Sequence, residues 1–140
     1  MSQKMHTHMR KAIEAAKYAR EKGNHPFGAV LTGPDGEVLM TAENTVNTDR
    51  DPTAHAETNL VRMASKQYEP EFLVECTLYA STEPCPMCAG AIYWSNIGRV
   101  VFGLSQESLY DLAGGDPQDS LQLSCREVLS HGGKDIEVFG

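Results

Sequence analysis

The sequence predicts an α/β fold, a three-layer α/β/α sandwich around one mixed five-stranded sheet. Three observations carry this expectation. Short strand-like runs alternate with helical stretches along all 140 residues, the order that lays helices on both faces of a sheet. The runs "FGAVLT" and "EVLMTAEN" are separated only by "GPDG", a strong turn signal that makes them an antiparallel hairpin. The runs "CTLYAST" and "RVVFGL" bracket a helical stretch, the order that produces a parallel pair through a right-handed crossover. A chain of this length forms one domain, residues 1–140, and buries roughly two thirds of its unfolded surface without needing staples.

In chain order, Met5, Met9, Ala12, Ile13 and Ala16 recur at helical spacing, opposite Arg10, Lys11, Glu14 and Lys17. They predict a first helix, stopped near Gly23, with His6 and His8 on its surface. The hairpin follows. "RDPTA" then opens a second helix of roughly fifteen residues, ending near "KQYEPE". "CTLYAST" is the third strand, "CPMCAGAIYWSN" the third helix and "RVVFGL" the fourth strand. "SQESLYDLA" reads as a short helix, "GGDPQDS" as a flexible loop and "DIEVFG" as the last strand.

Composition narrows the function classes. Twelve Lys and Arg face nineteen Asp and Glu, a formal net charge of −7, and an acidic surface repels phosphate backbones, which disfavours bulk nucleic-acid binding. No apolar run approaches the ~20 residues of a membrane helix. The first residues lack the continuous apolar segment of a signal peptide, so a cytoplasmic protein is expected. In such a reducing compartment, the Cys-x-x-Cys of Cys85 and Cys88, with Pro84 and Pro86 on either side of Cys85, points to a metal or redox site rather than a disulfide.

Cys85 and Cys88 stand three apart at the start of the third helix, where both sulfurs reach one ion. The partial positive charge of a helix N-terminus favours their thiolates, and Pro84 and Pro86 suit the approach to a first turn. His55, at the start of the second helix, is the candidate third ligand. Folding could recruit Cys76 or Cys125, but neither belongs to a local ligand pair, and three protein ligands with a fourth position for water is the pattern of catalytic zinc sites. Glu57 shares a helical face with Leu60, Val61 and Ala64, the face turned to the core. A buried carboxylate is costly unless it is paired or its pKa rises. Beside a metal and its water it gains both a partner and a proton-transfer task. The plainer alternative is an N-terminal helix carboxylate satisfied by backbone N–H groups. A thiol–disulfide oxidoreductase built on "CPMC" would leave His55 and Glu57 without purpose.

The pattern H-x-E followed by P-C-x-x-C is the signature of zinc-dependent deaminases. Through "HAE" and "PCPMC" the sequence resembles the cytidine deaminase-like superfamily. Through "HPFGAVL", "DPTAHAE", "STEPCPMCAGAIYW" and "IGRVVFG" it resembles bacterial guanine deaminases and tRNA adenosine deaminases, over roughly residues 5 to 112. The resemblance implies the deaminase sandwich, one Zn2+ per subunit on His55, Cys85 and Cys88, and Glu57 as proton shuttle. It implies hydrolytic release of ammonia from a carbon bearing an exocyclic amine. It also implies that the Ala56 N–H and Asn44 hold the base, and that the protein is a homodimer.

The expected substrate is a free nucleobase or nucleoside, purine and guanine-like preferred. A tRNA-specific adenosine deaminase, a deaminase of cytosine or another aminated heterocycle, and a non-catalytic zinc-stabilised binding module are the alternatives. The tail "SLQLSCREVLSHGGKDIEVFG" lacks the basic run by which tRNA editors grip an anticodon stem, and the resemblance implies that the segment closing guanine deaminases over the base is here absent or differently built. His25, just before Phe27 and Gly28, is a candidate substrate contact, or else an exposed loop histidine. Phe27 and Trp94 are candidate stacking platforms for a flat base. Because "MCAGAIYW" is apolar nearly all round, Trp94 also fits a subunit interface. "AGGDPQDS" is a candidate lid or a plain connector.

Overall fold

A computed structural model describes residues 1–114 and 116–140. Gly115, inside the glycine-rich segment considered as a lid, lies outside the described residues.

The first helix, α1 (Gln3–Glu21), starts at Ser2, whose hydroxyl accepts from the Met5 N–H, and ends before Gly23 at φ +86°. Its buried face is His8, Met9, Ala12, Ala15, Ala16 and Ala19. Two expectations are corrected here. Ile13 is 53% exposed, and His8 is buried against the Tyr79 ring rather than on the surface. The cause is close packing: alanines let α1 approach the sheet, and at Gly28 an added Cβ would collide with the Ala12 carbonyl. The stripe therefore turns around Ala12, carrying Ile13 outward and His8 inward.

Strands β1 (Gly28–Thr32) and β2 (Val38–Glu43) form the predicted antiparallel hairpin, with Gly36 at φ +82° in its turn. Next comes a single-turn helix that the sequence reading missed, α2 (Val46–Asp49), closed by Arg50 in the left-handed region. The predicted second helix accordingly does not open at "RDPTA". Instead α3 (Ala56–Gln67) begins after His55, which is its N-cap, and a short α4 (Pro70–Leu73) follows. Strand β3 (Thr77–Thr82), helix α5 (Pro86–Ser95) and strand β4 (Arg99–Leu104) form the predicted parallel crossover. Helix α6 (Gln106–Ala113), a 3₁₀ turn at Pro117–Asp119, an unforeseen α7 (Cys125–Ser130) and strand β5 (Glu137–Phe139) complete the chain.

The sheet order is β2-β1-β3-β4-β5. The β1 contacts are antiparallel and the β3–β4 and β4–β5 contacts parallel, so the sheet is mixed as expected. Alternation along the strands divides two cores. Leu31, Leu78, Ala80, Val100 and Phe102 face Leu60 and Ala64 of α3, Ala89 and Ile92 of α5, and Leu129 of α7. Val30, Tyr79 and Val101 face Met9 and Ala12 of α1. Helices thus cover both faces, which makes the three layers. Each fully buried leucine among these contributes about 2 kcal/mol.

Candidate active site

The site lies where α3 and α5 begin, on the same face of the sheet. His55 caps α3, Cys85 caps α5 and Cys88 sits in the first turn of α5. Helix N-termini carry partial positive charge, and two converge here, which favours anionic ligands. The three ligand atoms lie within 4.8 Å of one another, and His55 Nδ1 is 3.6 Å from each sulfur. A tetrahedral zinc with Zn–S of about 2.3 Å and Zn–N of about 2.0–2.1 Å holds sulfur and nitrogen about 3.6 Å apart. The residues therefore fit zinc in both chemistry and spacing. Cys76 and Cys125 are buried elsewhere, and among the described residues no fourth His, Cys, Asp or Glu joins the cluster.

The electrostatics match a site built for thiolate. The Cys85 thiol is held well below its ordinary range, first by the hydrogen bond from Cys88 and then, against the cost of burial, by His55. Cys88 goes the other way, because it keeps the proton it shares with Cys85 and because it is buried. His55 is raised, chiefly by its hydrogen bond to Cys85. A metal ion would release these protons, since only deprotonated sulfur and neutral imidazole ligate.

Glu57 is buried on the inner face of α3, with Leu60 and Ala64. Burial pushes its carboxyl up to about 7, with Cys85 adding to the rise and His55 opposing it. Its charged neighbours are therefore the ligands themselves. A carboxyl near that value both accepts and donates protons at neutral pH.

The remaining candidates fall into two groups. Ala56 is fully buried and is the first residue of α3, so its N–H has no acceptor inside the helix. Asn44 is 2% exposed; its Oδ1 accepts from the Val46 N–H at 3.0 Å, and its own N–H donates to the Phe27 carbonyl at 3.0 Å. Phe27 is half-buried against the core at the entry to β1. His25 is exposed, and its carbonyl accepts from the Phe27 N–H at 2.9 Å. Trp94 stands apart. It lies nine residues beyond Cys85, a rise of about 13 Å along α5, and is 80% exposed. Within one chain it is not brought to the metal cluster.

Three polar residues that the sequence reading did not single out organise this region. The Thr58 hydroxyl lies 3.2 Å from the Cys88 sulfur. Asn59 Nδ2 donates to the Glu43 carbonyl and to Thr45 Oγ1, each at 3.0 Å, tying α3 to the segment that carries Asn44. Asn24 is buried, and its Oδ1 accepts from the N–H groups of Asn47 and Thr48, fixing α2 against the end of α1. The signal available for Thr58 was its place beside Glu57, close to a ligand at a helix start; Asn24 carried none.

Residues 2–104 match the cytidine and deoxycytidylate deaminase zinc-binding region. The chain belongs to this deaminase family. It is 42% identical over 141 residues to a probable cytosine deaminase of Schizosaccharomyces pombe, covering 100% of this chain and 85% of that protein. It is 40% identical over 124 residues to a tRNA-specific adenosine deaminase of Bacillus subtilis, covering 89% and 73% respectively. The solved structure of guanine deaminase from Bacillus subtilis superposes with a TM-score of 0.71 at 36% identity, over 84% of this chain and 73% of that one. This deaminase is thus a zinc-type enzyme that hydrolyses C–N bonds, with the fold its family shares. No helix among its described residues is long and apolar enough to cross a membrane.

Proposed function

We propose that this deaminase acts on a free nucleobase or nucleoside, with a guanine-like purine preferred, and that His55, Cys85 and Cys88 hold its zinc while Glu57 moves the proton. The observation that carries the reading is a buried carboxyl, Glu57, two positions along the chain from His55, whose Nδ1 stands 3.6 Å from both sulfurs. When bound, zinc supplies Lewis acidity that makes water nucleophilic at neutral pH. Glu57 accepts a proton from the water and delivers it to the ring nitrogen as the C–O bond forms, then carries the remaining hydroxyl proton to the exocyclic amine, so that the C–N bond breaks and ammonia leaves. Asn44, held by its Oδ1 bond to Val46, presents its amide nitrogen to the base, and the Ala56 N–H meets a ring acceptor. Phe27, at the entry to β1, supplies a flat wall for stacking, and His25 lines the mouth.

Preference for a small purine is supported by "PFGAV" and "AIYW", by the likeness to guanine deaminase and by the net charge of −7, which opposes tRNA. A second reading is cytosine, favoured by the Schizosaccharomyces pombe relative, whose likeness runs the length of this chain. Ammonia release from guanine, guanosine, adenosine and cytosine ranks the readings. Turnover of cytosine alone would discard the purine preference, and turnover of none by zinc-loaded protein would discard the free-base reading. A gel shift with tRNA tests the editor alternative.

We also propose a homodimer in the cytoplasm. The outer side of α5 leaves Trp94 80% exposed, with Lys134 over the Tyr93 and Trp94 rings at 4.5 and 5.8 Å. Such a surface fits a subunit contact, and it gives Trp94 a role away from its own chain's metal. Sedimentation as a monomer at micromolar concentration would refute the dimer.

A further inference from the structure

Glu83 immediately precedes the metal loop, and its side chain is 8% exposed. A buried carboxylate needs donors, and here it has two from different helices. Oε1 accepts from the N–H of Gln106 at 3.0 Å, the first residue of α6. Oε2 accepts from the N–H of Cys125 at 2.8 Å, the first residue of α7. Both N–H groups belong to first turns, where no acceptor exists within the helix, and bonds from such groups to a carboxylate are among the stronger kind. The backbone is held as well: the Glu83 N–H donates to the Leu104 carbonyl at 2.7 Å.

The next residue is clamped from the same side. Gln106 Nε2 donates to the Pro84 carbonyl at 2.8 Å and to the Leu123 carbonyl at 3.0 Å, while its Oε1 accepts from the Leu123 N–H at 3.1 Å. Pro84 is fully buried and has a fixed φ. Only this one stiff residue separates Glu83 from Cys85. We infer that Glu83 is a positioning residue for the zinc centre: by joining the starts of α6 and α7, it sets where the Cys85 sulfur stands. This rests on the zinc centre described above. It assigns a task in the deaminase to the starts of α6 and α7, at Gln106 and Cys125, which lie outside the cluster of His55, Cys85 and Cys88.

The test is zinc affinity by chelator competition, together with the visible absorption of the cobalt-substituted protein, which reports thiolate geometry. Glu83→Gln keeps the size of the side chain but turns one acceptor into a donor facing an N–H. Gln106→Pro removes the N–H that Oε1 receives and suits a first helical position, since Ser105 before it is extended at φ −71° and ψ 158°. Outer-shell changes of this kind weaken metal binding by about 10- to 100-fold. The expected result is such a loss with a shifted cobalt spectrum in both variants, while far-ultraviolet circular dichroism stays that of wild type. Unchanged affinity and spectrum in either folded variant would overturn the inference. If Glu83→Gln does not fold, Gln106→Pro is read against Gln106→Ala, which loses the same side-chain bonds to Pro84 and Leu123 but keeps the N–H to Glu83 Oε1; equal zinc affinity and cobalt spectra in the two would overturn the inference. Failure of the wild-type chain to bind zinc would instead overturn the metal centre itself.

Discussion

Replacing Glu57 by glutamine separates what the carboxyl does for catalysis from what it costs the fold. Its carboxyl is pushed from 4.5 to about 7, chiefly by burial. Between those values the folded chain keeps the proton that the unfolded chain has released. A group whose folded pKa is raised in this way makes stability fall as pH rises from 4.5 to about 7, with no further change above. At about 1.4 kcal/mol for each tenfold difference in proton affinity, the ionised carboxylate costs about 3 kcal/mol at pH 8. The neutral amide of Glu57→Gln carries no such slope. In metal-free protein, Glu57→Gln should be the more stable by up to about 3 kcal/mol at pH 8 and nearly equal to wild type at pH 4. Both proteins keep His55 and the cysteines, so the difference reports Glu57 together with its electrostatic coupling to them. Urea unfolding followed by far-ultraviolet circular dichroism measures it; Trp94 fluorescence is a poorer probe because it would also report dissociation of the proposed dimer. With zinc bound, the same variant should lose about 10²- to 10⁴-fold in kcat. Parallel stability profiles for the two proteins would refute the reasoning, because they would mean that water reaches the carboxylate.

Thr58→Val removes the hydroxyl 3.2 Å from the Cys88 sulfur and should weaken zinc binding by about tenfold in a chelator titration, with little change in Tm. Asn44→Ala should lower kcat/KM for whichever base proves to be the substrate, and the loss of its Oδ1 bond to the Val46 N–H should also cost about 1 kcal/mol in urea unfolding. Leu60→Ala, at a fully buried site under both helix starts, should cost about 2–5 kcal/mol in the same assay.

The candidate metal cluster was legible because ligand chemistry is local: two cysteines on one helical turn, and a histidine at a helix start; Glu57 was legible as the carboxyl one residue beyond Ala56 on the buried face. Strand pairing was legible where a four-residue turn or a single helix fixes the connection. What escaped reading depends on neighbours distant in sequence. Four residues of α2 have no periodicity, and the helix exists because Asn24 and Asn44 accept its N–H groups. Six residues of α7 are equally silent, although Ser124 caps them and Glu83 receives their first N–H. In α1, alanine counts for little in an apolar stripe, so Ile13 drew the face toward itself, while close packing on Gly28 chose a stripe containing His8. Trp94 shows the same limit at the surface, since an all-round apolar helix does not say which side the fold leaves exposed.

The placement of the site on a mixed sheet has a consequence for how such enzymes diversify. Asn44 and Phe27 belong to the antiparallel hairpin end of the sheet, whereas the two sulfurs belong to the parallel crossover, and β3 is the seam between them. If Asn44 and Phe27 meet the base as proposed, mutational drift in the hairpin can remodel those contacts while the crossover keeps its sulfurs in register. One architecture can in this way migrate among heterocycles without rebuilding the machinery that breaks the bond.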